Sequence, residues 1–354
     1  MRIAQISPLY EAVPPVLYGG TERIVAYLCD ALVGMGHDVT LFASAEARTR
    51  ARLIPMRDRA IRLDSCVLKS DLAAHLTMLD EVRRQKDRFD ILHFHLDLIH
   101  FPMFEDIAER TLTTIHGRLD MKDLPAVYAR WDRYPLVSIS DNQRAPIPDA
   151  NWVATVQHGV PMHNFRFSPS PDGRYLAFLG RISPEKGPER AIAVARAAGI
   201  PLKMAAKVDA TDAAYFHRCV EPLLDDPLVE FVGEIGEAEK SEFLGKALAL
   251  LFPVNWPEPF GIVLIEAMAC GTPVIAWGCG SVPEIIDHGV TGYVVHSEPE
   301  AIQAIGDLKS LNRLRIRHLC ERRFSAPAMT RRYLDVYARL PGNAVYEDEW
   351  QDAV

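Results

Sequence analysis

An α/β protein of two successive doubly wound, Rossmann-like domains is what this sequence predicts, and three observations predict it. At 354 residues the chain exceeds what one hydrophobic core usually organises, so about two domains are expected. Short apolar, β-branched runs alternate with longer amphipathic ones, the pattern of βα units around a parallel sheet. That alternation is interrupted by a run of turn formers, Arg166-Phe167-Ser168-Pro169-Ser170-Pro171-Asp172-Gly173, and then restarts.

Before the interruption, strands are expected at 2–7, 38–44, 90–95, 111–116, 136–140 and 153–157. A helix is expected to begin at Thr21 as its N-cap, to carry Ile24, Val25, Leu28, Ala31 and Leu32 on one side, and to stop at Gly34 and Gly36. After it, strands are expected at 175–179, 202–206, 229–232, 248–253, 273–277 and 292–295. The domains expected are therefore 1–165 and 175–325, joined by a linker at 166–174. A frayed acidic tail is expected over 341–354, where Glu347, Asp348, Glu349 and Asp352 lie. Doubly wound sheets bind ligands beyond the carboxyl ends of their strands, so two such domains facing each other would enclose a cleft.

Composition excludes several classes. A net charge of −8 argues against nucleic-acid binding, which needs a basic face. No apolar run approaches the roughly 20 residues of a membrane-spanning helix. The start, Met1 to Ile6, runs directly into a strand without a signal-peptide layout, so a cytoplasmic protein is expected. The six cysteines, Cys29, Cys66, Cys219, Cys270, Cys279 and Cys320, form no C-x-x-C pair and read as reduced thiols. Charge is uneven, however: from Arg48 to Arg88 eleven Lys or Arg face six Asp or Glu. This stretch reads either as a solvated helix face or as a site for an anionic acceptor or a membrane surface, the latter making the protein peripheral on the inner face of the membrane.

The chemistry concentrates in four places. The first is Asn255-Trp256-Pro257-Glu258-Pro259-Phe260-Gly261-Ile262, which follows a strand, turns at two prolines and opens an apolar helix ending at Gly271. Seven residues separate Glu258 from Glu266, placing Glu258 before that helix and Glu266 within it. A carboxylate there is costly to bury unless something satisfies it; a ribose diol can, and so can a structural cap. The second is Gly180-Arg181-Ile182-Ser183-Pro184-Glu185-Lys186-Gly187 at a strand's carboxyl end. Arg181 and Lys186 would there stabilise the charge of a leaving diphosphate, or else merely balance Glu185 and Glu189. The third is Tyr18-Gly19-Gly20-Thr21, where paired glycines let backbone approach a phosphate, as they also do in ordinary turns. The fourth is His116, ending a strand and able to hydrogen-bond a sugar hydroxyl or to be a satisfied structural histidine.

Other features point elsewhere. His93, His95 and His100 invite a metal reading, but no acidic or Cys ligand stands at suitable spacing, so no metal site is expected. Gly34-Met35-Gly36 follows a helix rather than opening one, which disfavours a nicotinamide dehydrogenase.

These four segments, in this order, resemble glycosyltransferase family 4, retaining enzymes of GT-B fold. The resemblance runs from Arg2 to about Leu340 and is most specific at Glu258-Pro259-Phe260-Gly261 to Glu266, which is similar to that family's E-x7-E motif. Gly180 to Gly187 and Gly271-Thr272-Pro273-Val274-Ile275-Ala276 join it. The resemblance implies that Gly19 and Gly20 lie against the donor diphosphate or the acceptor, and that His116 contacts the transferred sugar. It implies that Arg181 and Lys186 hold the diphosphate, that Glu258 contacts sugar hydroxyls and that Glu266 contacts the ribose. Phe260, Gly261 and Ile262 would reach sugar and phosphate through their amides, and the Val232-Gly233-Glu234 turn would flank the base. A final helix over 326–340 would cross back onto the first domain. The chain departs from the pattern at Ala205-Ala206-Lys207-Val208-Asp209, where many relatives have a Gly-rich turn. It departs again at Gln157-His158-Gly159-Val160, where Asn-Gly-Val is usual.

The activity expected is metal-independent transfer of a hexose, with retention, from a UDP- or GDP-hexose to an unidentified acceptor, with no cofactor. A sugar-nucleotide epimerase of the same fold and a non-catalytic sugar-nucleotide-binding protein are the alternatives.

Overall fold

A computed structural model describes residues 1–16 and 19–341. Tyr18 of the paired-glycine segment and the acidic tail beyond Pro341 lie outside the described residues. The chain divides into two units, one of Met1–Gly159 with Ala326–Val354, the other Val160–Ser325.

The first unit holds seven parallel strands: β1 (Arg2–Ile6), β2 (Asp38–Ser44), β3 (Arg52–Arg57), β4 (Ile91–Phe94), β5 (Thr111–Thr114), β6 (Leu136–Ser138) and β7 (Trp152–Thr155), in the order β3-β2-β1-β4-β5-β6-β7. The central strand β1 is buried on both faces, hence Ile3, Ala4 and Ile6; Gln5 is its polar exception. Helix Gly20–Gly34 starts one residue before the expected cap: Gly19 is the N-cap, and Thr21 lies in the first turn. It packs against helix Ala326–Arg339, whose Ala326, Met329, Thr330, Tyr333 and Tyr337 recur at three- and four-residue spacing and are buried.

Strand β3 was not anticipated. Its half-buried Arg-Leu-Ile-Pro-Met-Arg carries no clean alternation, and its Pro55 is tolerable because β3 lies at the sheet edge. The basic stretch is thus a strand, a loop and the helix Asp71–Arg84 rather than a single helix face. Several of its cations have acidic partners from elsewhere in the unit: Arg52 with Asp38, Arg62 with Glu11, and Arg83 and Lys86 with Asp106.

The second unit holds β8 (Leu176–Arg181), β9 (Leu202–Lys207), β10 (Val229–Gly233), β11 (Ala249–Phe252), β12 (Val274–Trp277) and β13 (Gly292–Val295), parallel in the order β10-β9-β8-β11-β12-β13. Its core gathers Leu176, Phe178, Ile192, Leu202, Leu251 and Ile275. The division between units falls after Gly159, not after residue 165, and residues 166–174 belong to the second unit. Backbone hydrogen bonds explain why: Arg166 N donates to Ser241 Oγ, Ser168 N to Cys270 O and Gly173 N to Lys246 O. Arg313 adds a further tie, donating from Nε to Ser168 O and from its other nitrogens to Ala247 O, Gly245 O and Thr272 Oγ1. A segment so bonded is packed chain, whatever its turn-forming composition. Among the described residues no helix is long and apolar enough to cross a membrane.

Candidate functional site

In the second unit, the carboxyl ends of β8 and β11 lead into the two richest motifs. After β8 the chain makes a short turn, Pro184–Lys186, and enters helix Pro188–Ala198 through Gly187. Gly187 has φ 63°, and a Cβ there would lie 2.3 Å from Pro253 O, so only glycine lets the two loops touch. Asn255 N donates to Glu185 O at 3.0 Å and locks the same contact. Lys186 is thereby delivered to Glu258, with which it forms an ion pair.

Glu258 is 8% exposed and has a second donor, Trp256 Nε1, at 2.9 Å from its Oε2. Lys186 Nζ lies 5.4 Å from the Trp256 ring centroid and 5.7 Å from that of Phe252, so the cation is held by aromatic faces as well as charge. The loop after β12 supports Glu258 from beneath. Gly280, with φ 62°, passes so close that a Cβ would lie 2.3 Å from Glu258 N. Ser281 N donates to Glu258 O and Ser281 Oγ to Phe260 O, both at 2.9 Å. Gly261 is the N-cap of helix Ile262–Ala269, so the free amides of that helix begin beside Glu258.

Arg181, at the end of β8, is ringed by carboxylates: Glu185 at 2.5 Å, Asp209 at 3.7 Å and Asp212 at 3.7 Å. Its pairing with Glu185 is the structural alternative considered from the sequence, and Asp209 and Asp212 extend it. Asp209 belongs to the segment where a Gly-rich turn is usual; here it also pairs with Lys207 at 3.0 Å. Glu189, by contrast, accepts from Tyr215 rather than from either cation.

Glu266 is 2% exposed and paired with Lys240, its Oε1 2.7 Å from Nζ. Lys240 answers the desolvation of Glu266 within the protein itself. Val232 and Gly233 end β10, with Glu234 just beyond it.

In the first unit, Gly19 and Gly20 begin helix Gly20–Gly34, and His116 follows β5. His116 belongs to a histidine cluster: its Nε2 is 2.9 Å from His95 Nδ1 and its ring stacks on His158 at 5.3 Å. Burial pushes His116 down to about 3. Asp97, on the loop after β4, accepts the backbone N–H of His116; it exposes part of its surface, yet desolvation still pushes its carboxyl up to about 6. His93 and His95, weighed as metal ligands, spend their nitrogens on Tyr337 and Thr114, and on Gln5 and His116.

The structure thus joins Lys186 to Glu258 and pairs Arg181 with Glu185, the residue before Lys186, while Glu266 bonds to a different cation. Sequence reasoning missed Trp256, Lys240, Gly280 and Ser281 as partners of the two glutamates. The Gly278-Cys279-Gly280-Ser281 run after a strand was the one legible signal among them.

Known proteins resemble the chain in both units. The family model described as "Glycosyl transferases group 1" matches residues 163–316, and that described as "Glycosyltransferase Family 4" matches residues 18–178. The D-inositol 3-phosphate glycosyltransferase of Mycolicibacterium gilvum (strain PYR-GCK) is 34% identical over 144 residues, covering 37% of this chain. The chain spans 30% of the length of that relative. The glycogen synthase of Mycobacterium tuberculosis (strain ATCC 25618 / H37Rv) is 26% identical over 351 residues, covering 82% of this chain and 81% of the relative. Among solved structures, Anabaena HepE in complex with UDP-glucose matches with a TM-score of 0.73 at 16% identity, over 96% of this chain and 99% of that one.

Proposed function

This chain belongs to glycosyltransferase family 4, with the two parallel-sheet units of the GT-B fold, and we propose that it transfers a hexose from a UDP- or GDP-hexose to an acceptor hydroxyl, with retention and without a metal ion. The observation that carries the proposal is the Lys186–Glu258 pair at the mouth of helix Ile262–Ala269, with Arg181 paired to Glu185, the residue before Lys186.

In this reading Lys186, Arg181 and the helix amides meet the diphosphate. The bond from the anomeric carbon to phosphate oxygen breaks as the acceptor oxygen bonds that carbon from the same face, and the acceptor's proton passes to the departing diphosphate. Charge accumulates on the diphosphate, and preorganised cations and amides stabilise it as it forms. Glu258, just before the helix, would contact hydroxyls of the transferred sugar, and Glu266 the ribose, beside its bond to Lys240. Gly19 and Gly20 would lie against the donor diphosphate or the acceptor, and His116 would contact the transferred sugar. Val232, Gly233 and Glu234 would flank the base, and Phe260, Gly261 and Ile262 would offer amides.

The UDP-glucose in the HepE complex supports a UDP-hexose donor. The names of the relatives span unlike acceptors, an inositol phosphate and glycogen, so the reading stops at a hydroxyl.

A thermal-shift series of nucleotide sugars tests the donor. At a hundredfold excess over Kd, the true donor adds about 2.7 kcal/mol to stability by mass action. Product analysis with that donor, in excess EDTA, then tests the chemistry. Transfer to an acceptor supports it. An isomerised sugar without acceptor, or activity that returns only with magnesium or manganese, overturns it.

A further inference from the structure

Gln5 is a polar residue in the middle of a central strand. It sits in β1 between β2 and β4, fully buried, and its side chain bridges two hydrogen-bonded branches. Gln5 Oε1 lies 2.8 Å from His95 Nε2, and His95 Nδ1 lies 2.9 Å from His116 Nε2. On the other side, Gln5 Nε2 donates to the Tyr337 hydroxyl at 3.0 Å, and that hydroxyl lies 2.8 Å from His93 Nδ1. His93 Nε2 lies 2.8 Å from Thr114 Oγ1, itself 3.0 Å from the Tyr333 hydroxyl. The path runs from helix Ala326–Arg339 through the centre of the sheet to His116.

Burial holds His93, His95 and His116 far below the usual imidazole range, so each ring is neutral and carries one N–H. The order of hydrogens then follows from the Gln5 amide. Its Oε1 can only accept, so His95 carries hydrogen on Nε2 and offers a bare Nδ1. His116 must donate from Nε2, which leaves a lone pair on its Nδ1. That atom is shielded from solvent and has no hydrogen-bond partner among the described residues. Flipping the amide reverses the donors along this path and puts the hydrogen on His116 Nδ1. A buried N–H without an acceptor is a rarer orphan than a bare acceptor, so the free protein favours the first order.

We propose that Gln5 is a positioning residue: acting through His95, it holds His116 in the Nε2–H tautomer, so that Nδ1, covered in the free protein, can only accept a hydrogen bond once it is uncovered to a hydroxyl of the transferred sugar. The inference rests on the sugar-contacting role proposed for His116 and adds the direction of that bond. It also gives helix Ala326–Arg339 a part, since Tyr337 is hydrogen-bonded to the Gln5 amide.

Histidine-selective ¹⁵N labelling with long-range proton–nitrogen correlation at neutral pH tests it, with His116→Ala used to assign the resonances. The expected spectrum has a bare Nδ1 and a protonated Nε2 on both His95 and His116. Gln5→Met, of similar size but unable to accept, should release both rings into mixed tautomers and lower kcat at least tenfold with little change in donor KM. Gln5→Glu can still accept from His95 and should keep the wild-type tautomers and most of the turnover. Circular dichroism checks folding; if Gln5→Met does not fold, the wild-type and Gln5→Glu spectra decide. Hydrogen on His116 Nδ1 in the wild type, or tautomers unmoved in Gln5→Met, overturns the proposal. The lock stands or falls on the spectra alone. Unchanged turnover beside shifted tautomers would instead remove the role given to His116.

Discussion

Glu258 and Glu266 are both nearly buried, but they answer to different cations, and their replacements should separate. Glu258 shares its Oε2 between Lys186 and Trp256. Glu258→Gln should therefore lower kcat, with a smaller effect on nucleotide affinity. Glu266→Gln should weaken free nucleotide and donor alike, because an amide has one accepting oxygen to share between Lys240 and ribose. Calorimetry with the bare nucleoside diphosphate, set beside steady-state kinetics, checks this; equal loss of affinity in both variants would exchange or cancel the roles. Arg181→Ala and Lys186→Ala should each remove about 3 kcal/mol of transition-state stabilisation, read as ~10²-fold in kcat/KM. Neither change is silent for the fold. Lys186→Ala strips Glu258 of its cation, and Arg181→Ala leaves Glu185, Asp209 and Asp212 facing one another, so a lowered Tm should accompany both. Near-normal turnover in both would place the diphosphate elsewhere.

At the scale of elements, the site depends on loops that touch only because two positions lack a side chain. Gly187→Ala would drive a Cβ into Pro253 O and force a left-handed backbone onto alanine. The expected cost is about 1–3 kcal/mol of stability. A fall in kcat should come with it, since Lys186 is the neighbouring residue; Gly199→Ala is the control. Gly199 is also left-handed, at φ 65°, but a Cβ there meets nothing within 4 Å. Equal activity in the two variants would mean that the Gly187–Pro253 contact does not position Lys186. The same scale explains which elements could be read. All six strands of the second unit were anticipated because each is a short apolar run bounded by turn signals. Strand β3 was missed because an edge strand with arginines at both ends and a proline inside has no alternation to read.

For the whole molecule, protonation is distributed unevenly. Seven imidazoles, those of His37, His75, His93, His95, His100, His116 and His158, are lowered chiefly by burial, and all lie in the first unit. A lowered imidazole binds its proton in the unfolded chain first, so its contribution is full above the unfolded value of about 6.5 and is lost as pH falls below it. Each deeply buried ring then removes up to about 1.4 kcal/mol per pH unit. Asp97, raised to about 6, and Glu22, also raised by burial, act in the opposite sense, as folding strengthens their protonation. Seven groups against two leave a net loss, so calorimetric scans from pH 7.5 to 5 should show a falling Tm. The first unit should melt ahead of the second. A Tm constant across that window would mean that these rings are accessible to protons in the folded state.

What the sequence determined by itself was the alternation of strands and helices, the restart near residue 160–175, and the four segments where polar residues interrupt strand ends. These are local properties: hydrophobic period and turn chemistry do not need to know what lies across the fold. The division of the chain after Gly159, the bonding of 166–174 into the second unit, and the inclusion of residues from Ala326 onward in the first were decided by tertiary packing. So were the partners of every buried charge. Lys240 meets Glu266 across 26 positions, Lys186 meets Glu258 across 72, and Gln5 meets Tyr337 across 332. Such pairings are set by which strand carboxyl ends and helix faces the sheet order brings together, and no periodicity within a single segment encodes that order.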